Sequence, residues 1–542
     1  MSPTLSIDPV TFEVVRSGLY SICEEMKSAI MRASFSPLLS LSADLSCAIV
    51  DHAGDVVAQG NDIPVHLGAM PFTARGMLEQ FPLGTWEPGD AVLTNDPYVG
   101  GVHLPDMTLM LPVFDGAGII GFTVSRVHWP DVGGAAPGSS TVTDDILNEG
   151  LRVPPIKIAR NHVLNDDLVR LILANVRVPG DRFGDLKAQF GGNQRAVLRI
   201  AQLIARYGGE TVQRIFADSQ AYSQLKVEEV LEALPDGRYS YHEHMDGDGY
   251  SVCNGDDGFK LAVTIDKQGR SLVCDFTGSS GAVRGPINMP LSVASSAVYY
   301  VLLCLTEGKA LPNSGAYRPA RIIAPEGSIA NARYPSPVVA SNTEAANRLV
   351  DVLLGALAPA MPDRAIAGSY GSAAVYTLGG RDHGRGRTFV HYETVGGGAG
   401  AAKGLAGVSG QRVHMGNTMN LPIEAMEAAL PLRFDEYALI RQSGGTGRWR
   451  GGDGVRKAFR ILSEDVRFSL LCERGIYPAQ GIAGGAPGRC ARFSIRKADG
   501  SVLALQSKTT AVHLGAGDTV VMETAGGGGW GASGEPGDEP QG

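Results

Sequence analysis

The 542-residue sequence contains no apolar run of the ~18–20 residues that a membrane-crossing helix needs, so no membrane partner is expected. Its first residues, MSPTLSIDPVTFEVV, carry no basic segment followed by an apolar one. A secretory leader is therefore not expected, and the cytoplasm is the default compartment. Cysteine is sparse: seven residues, at 23, 47, 253, 274, 304, 472 and 490, with no CxxC pair. That argues against a disulfide scaffold and against a zinc–thiolate site. A dense basic stripe is also missing. There are 47 Lys and Arg against 56 Asp and Glu, and the nearest cluster, Arg448, Arg450 and Arg456, is diluted by glycine. Nucleic acid is not an expected partner. Neither a P-loop, nor a strand–GxGxxG–helix fingerprint, nor a GxSxG elbow is present, so covalent hydrolase chemistry has no local support.

What is present is a globular composition, 44% hydrophobic and 19% charged, in a chain long enough for two to four domains. Glycine is abundant, at 71 residues. The glycines have no fixed period, which excludes collagen; they punctuate apolar segments and predict tight turns and close backbone approaches. The runs ETVGGG at 393–398 and ETAGGGGWG at 523–531 read as structural turns, with a cradle for phosphate or carboxylate as the weaker reading.

Residues 8–34 predict one amphipathic helix, capped by Asp8, with Pro9 in its first turn and an apolar stripe of Val10, Val14, Ile22, Met26 and Ile30. Short strands are expected at Leu45–Val50, Val56–Ala58 and Ala91–Thr94. Residues 107–114 and 118–127 predict a hairpin about Asp115-Gly116-Ala117. Helical patterns cover 164–206, broken at Val178-Pro179-Gly180, and 210–233. These form an expected N-terminal α/β domain, 1–235, carrying the site. Residues 236–530 predict a mixed C-terminal domain, with strands at 259–266 and 270–276, helices near 291–307 and 343–358, and a β-rich region from 435. Residues 531–542 read as a flexible tail. The fold class is mixed α/β (α+β): multi-domain, with interleaved helices and short strands and a β-rich C-terminal part.

The chemistry concentrates in NDPYVGGVHLPD at 95–106 and VHWPD at 127–131. With the hairpin turn centred on 116–117, cross-strand partners have numbers summing to about 234, as Asp106 and His128 do. They should therefore face each other across the ladder with Cβ atoms roughly 5 Å apart; a slip of one residue would send them to opposite faces. His103 precedes Asp106 by three residues, and Pro105 with Gly100 and Gly101 predicts a loop that folds His103 back. Two imidazoles and a carboxylate suit a divalent Zn, Mn or Fe ion, able to polarise a carbonyl or lower the pKa of a bound water. The plainer alternative is a hydrogen-bonded structural histidine and a turn aspartate. Asp131 or Asp96 is expected to orient one of the imidazoles. Asp44 reads by itself as an Asx turn, and His66, among apolar residues, as a satisfied core histidine.

These pieces, with IPVHLGAMP at 63–71, EGLRVPP at 149–155, NTMNLPIEAME at 417–427 and RGGDGVRK at 450–457, run in an order that resembles the hydantoinase B / 5-oxoprolinase family. Its relatives include the large subunits of acetone and acetophenone carboxylases. The resemblance implies a metal-bearing subunit that works with a hydantoinase A-like, ATP-binding partner in a hetero-oligomer. The partner binds ATP and phosphorylates a cyclic amide such as a hydantoin or 5-oxoproline, and water then opens the ring. Carried over, the metal and catalytic set is His103, Asp106 and His128, with Asp44 as a fourth ligand. The sequence departs from the family pattern at Leu41, where a Glu is usual, and at Val102, where a Thr is common. A ketone-carboxylase subunit and a non-catalytic scaffold are the competing readings.

Overall fold

The computed structural model describes residues 7–116, 118–253 and 258–533. Ala117, in the expected hairpin turn, and most of the expected tail, 534–542, lie outside the described residues. The mixed α/β class holds: the described residues form four sheets with helices interleaved.

The first sheet has seven strands: β1 (Leu45–Asp51), β2 (Val56–Gln59), β3 (Ala91–Thr94), β4 (Asp106–Asp115), β5 (Gly118–His128), β6 (Ile156–Arg160) and β7 (Val163–Leu164). They lie in the order β2-β1-β5-β4-β3-β6-β7, every pair antiparallel. The β4–β5 register pairs Asp106 with His128 and holds to Val113 and Gly121, where a bulge shifts it. Side chains alternate between two cores, as a strand's two-residue period demands. Leu45, Cys47, Ile49, Leu109 and Val127 meet the helices Pro9–Ala33 and Pro179–Tyr207 on one face. Ala48, Val50, Met110, Phe122 and Val124 meet the helix Pro64–Gln80 on the other. Asp106 and His128 share the parity of Met110 and Phe122, so both project toward Pro64–Gln80.

Two local expectations need correction. The first helix starts as expected, with the Asp8 carboxylate accepting from Val10 N and Thr11 N. Its buried stripe, however, is Phe12, Val15, Leu19, Ile22, Cys23, Met26 and Ile30, whereas Val10 and Val14 are 71% and 49% exposed. A row counted in fours is not parallel to the axis of a 3.6-residue helix: it starts on the solvent side at Val10 and Val14 and reaches the core only at Ile22, Met26 and Ile30. The helix Pro64–Gln80 went unpredicted. It contains Gly68, Pro71 and Gly76, weak helix formers, and is buried on several sides, so it shows no polar face. Glycine there permits a close crossing: a Cβ on Gly68 would lie 2.7 Å from Ser296 Cα in the helix Leu291–Leu305.

The C-terminal part pairs a four-stranded sheet (375–382, 387–393, 466–471, 508–514) with a five-stranded one (432–439, 455–461, 492–496, 502–505, 519–523) across a common apolar core. Beside them, the glycine runs do not make turns. Residues 525–529 lie outside helix, turn and regular strand. They run through a bundle of glycine-rich segments bonded backbone to backbone: Gly398 N to Ala525 O (3.0 Å), Gly527 N to Gly452 O (3.0 Å), Gly528 N to Gly368 O (2.8 Å) and Gly529 N to Ala486 O (2.9 Å). A Cβ on Gly398 would stand 2.0 Å from Gly452 O, and one on Gly527 2.0 Å from Ala399 O. Neither residue has a positive φ. Glycine is needed here for close approach, as on the axis of collagen, and not for a left-handed bend.

Candidate metal centre

The loop that delivers His103 is built by its neighbours. Asn95 Nδ2 donates to the carbonyls of Leu104 (2.7 Å) and Leu151 (2.8 Å), while its Oδ1 accepts from Val153 N (2.7 Å). Gly100 has φ +90° and packs where a Cβ would lie 2.5 Å from the Phe72 carbonyl carbon. Asp106 N then donates to His103 O at 3.0 Å, closing a turn that folds the imidazole over the carboxylate.

The structure brings His103, Asp106 and His128 together, all buried, with donor atoms within 4.8 Å of one another. His103 Nε2 lies 3.0 Å from Asp106 Oδ1 and 3.2 Å from His128 Nδ1, and the third edge is 3.1 Å. Donors bound to one ion at about 2.0–2.2 Å stand about 3.0–3.5 Å apart, so the triangle fits a cation. Protonation argues the same way. His103 Nδ1 contacts the Val339 carbonyl at 3.0 Å and must donate to it. That leaves a lone pair on Nε2 of the neutral ring facing the carboxylate oxygen, a contact that needs a proton or a cation between the two atoms. Asp106 Oδ2 and His128 Nε2 have no hydrogen-bond partner although buried. Chain carbonyl, not carboxylate, orients His103: Asp131 binds Arg177, and Asp96 binds Tyr98 N and Arg152.

Asp44 stands beside this group, not inside it. It is buried, its carbonyl accepts from His128 N (3.1 Å), and its carboxylate lines the same cavity. Burial raises its pKa to about 6, opposed by the charge of His128 and reinforced by that of Asp106. Burial works against ionising Asp106 too, yet the charges of His103 and His66 and the hydrogen bonds from His103 and His128 hold it well below the carboxylate range. Burial pulls the His103 pKa down, but Asp106 more than compensates and the net direction is up; for His128 and His66 burial prevails and the direction is down.

His66, read from the sequence as a satisfied core histidine and buried as expected, completes the site with Glu149 and Asn342. His66 lies on the helix Pro64–Gln80, with Nε2 3.1 Å from Asp106 Oδ2, outside hydrogen-bond geometry, and Nδ1 3.1 Å from Ser46 Oγ. Proline two residues before it marks a helix start and was the available signal. Glu149 is wholly buried and accepts from Val338 N (2.7 Å) and Val339 N (2.9 Å), fixing the segment whose carbonyl holds His103. Asn342 Nδ2 lies 3.4 Å from His103 Nε2. A cavity of about 40 Å³ opens beside the triangle, lined by Asp44, His66, His128, Asn342, Tyr392 and Arg412. Leu41 is 42% exposed, while Val102 is sealed in the core.

The hydantoinase B/oxoprolinase family model matches residues 8–533. An uncharacterised protein of Methanocaldococcus jannaschii is 36% identical over 97% of this chain and 91% of its own length. The 5-oxoprolinase 1 of Arabidopsis thaliana is 34% identical over 97% of this chain, which spans 42% of that protein. The structure of an ATP-dependent caprolactamase from Pseudomonas jessenii superposes with TM-score 0.89 at 27% identity, covering 97% of this chain and 92% of that one. A nucleotide-free acetone carboxylase shares the fold at TM-score 0.89 and 18% identity, covering 98% of this chain and 76% of that one. The chain belongs to the hydantoinase B/oxoprolinase family.

Proposed function

We propose that this chain is the metal-bearing subunit of an ATP-dependent cyclic-amide hydrolase, opening a ring amide activated by phosphorylation in a hydantoinase A-like partner. The observation that carries the reading is the buried triangle of His103 Nε2, Asp106 Oδ1 and His128 Nδ1, with edges of 3.0–3.2 Å, in a chain similar over nearly its whole length to a caprolactamase. These three residues would hold the ion, with Asp44, which lines the adjoining cavity, as a fourth ligand. A divalent ion supplies Lewis acidity toward a carbonyl oxygen or water.

The chain's own residues do the rest. The Val339 carbonyl holds the proton on His103 Nδ1, so the Nε2 lone pair points inward. His66 Nε2 faces the outer oxygen of Asp106 at 3.1 Å. Ile63, Val65 and Tyr392 give the cavity beside the triangle apolar walls. ATP would be bound by the partner; unstrained amides resist water at neutral pH, and phosphorylating the amide oxygen provides the leaving arrangement this site lacks.

The experiment is to purify the chain with its partner subunit, replace His103 or His128 with Ala, and measure bound metal and ATP-dependent opening of 5-oxoproline, hydantoin and caprolactam. The reading expects loss of metal and of ring opening in both variants. Full metal occupancy with unchanged turnover removes it.

A further inference from the structure

The cavity beside the donor triangle contains a guanidinium that makes no ion pair within 4.0 Å among the described residues, although the charge of Asp44 across the cavity reaches it. Arg412 lines it together with Asp44, His128 and Tyr392. A guanidinium has five N–H donors. Here Nε donates to Thr394 Oγ1 at 2.5 Å, one terminal nitrogen to Asn420 Oδ1 at 2.8 Å, and the other to the Thr394 carbonyl. All three acceptors are neutral, two N–H groups remain, and among the described residues no carboxylate lies within the 4.0 Å of an ion pair. Other buried arginines are treated differently. Arg474 sits on Glu243 (2.9 Å) and Asp351 (2.7 Å), and Arg182 on Asp185 (2.9 Å). Arg126 also lacks an acid, but it is sealed in the sheet and bonded to Thr108, His66 O and Thr73. Arg412 alone of these faces open space, half-buried, with its plane fixed by Thr394, itself tied to Thr418 Oγ1 at 2.9 Å.

We propose that Arg412 is the anion-recognition residue of this cavity, taking an oxyanion carried by the substrate while the ring carbonyl faces His103, Asp106 and His128. This rests on the ring-opening reading above. A neutral lactam would leave the free donors unused beside an apolar wall, whereas phosphoryl or carboxylate oxygens match the guanidinium fork. The oxyanion is either the phosphoryl group placed on the amide or a carboxylate borne by the ring.

Calorimetric titration of the full-length chain separates the two. The probes are inorganic phosphate, 5-oxoproline, and 2-pyrrolidinone as the same ring without a carboxylate; the variants are Arg412→Gln and Arg412→Lys. Arg412→Gln is expected to weaken anion binding about 10- to 100-fold. Arg412→Lys should recover part of that loss, and 2-pyrrolidinone should change less than about twofold, both variants keeping the wild-type metal content. A loss confined to phosphate assigns the phosphoryl group, and one confined to 5-oxoproline the ring carboxylate. Unchanged anion affinity, an equal loss for 2-pyrrolidinone, or no anion binding to the wild-type chain at millimolar concentration overturns the proposal. If Arg412→Gln does not fold, Arg412→Lys carries the test, because it keeps the charge and loses the fork. A His103→Ala variant with full metal occupancy and unchanged turnover would end the ring-opening reading while leaving these binding results intact.

Discussion

The donor triangle and the glycine bundle achieve order by opposite means. The triangle depends on three side chains whose atoms meet at 3.0–3.2 Å at one end of a ladder. The bundle depends on having no side chains, with carbonyls standing where any Cβ would intrude. In the first, a substitution removes chemistry and leaves the scaffold. In the second, it removes the scaffold. Chemistry and support are thus carried by different parts of one chain.

The largest effect is expected from breaking the bundle. Gly527→Val should abolish folding of the C-terminal part, a loss beyond about 4–5 kcal/mol, read as absence of a cooperative thermal transition. Gly416→Ala, where nothing lies within 4 Å, should leave the melting temperature unchanged within about 2 °C. Equal tolerance at both positions would dissolve the contrast. Next is His103→Ala, which should keep the fold by circular dichroism while metal content falls to background and ring opening drops at least about 100-fold. Collapse of the fold would mean that the triangle is structural.

Glu149 sharpens the comparison from between the two regions, since it acts through backbone. Burial raises its pKa from 4.5 to about 8. The folded chain therefore keeps a proton there that the unfolded chain releases above pH 4.5, and stability from this group declines as pH rises from 4.5 to about 8. Glu149→Gln should flatten that slope by about 1.4 kcal/mol per pH unit in denaturant melts and lower metal affinity about tenfold. Identical slopes would remove Glu149 as the cause. The smallest effect is expected at Leu41, 42% exposed: Leu41→Glu should change stability by less than about 0.5 kcal/mol. A large shift would show that this edge is covered in the assembled protein.

How much of this was legible in the sequence followed distance along the chain. The Asp106–His128 pairing was readable because one turn fixes the register of both strands. His103 was readable because Pro105 and the paired glycines limit the loop's course. His66, Val339 and Arg412 were not, because they arrive from a helix with no polar face and from segments more than 200 residues away. The glycine runs were visible but misassigned. A single run looks like a turn, and only the neighbouring backbones, drawn from across the C-terminal part, reveal why a Cβ is forbidden. The apolar stripe of the first helix is legible in its second half, where Ile22, Met26 and Ile30 are buried, and not at Val10 and Val14, because a spacing of four drifts against 3.6.

The central claim is most directly tested by anomalous diffraction from crystals of the full-length chain grown with Mn or Zn. The account predicts one strong peak within about 2.0–2.3 Å of His103 Nε2, Asp106 Oδ1 and His128 Nδ1. A metal-saturated crystal with its peak elsewhere, and these three atoms still in mutual contact with nothing between them, would contradict it.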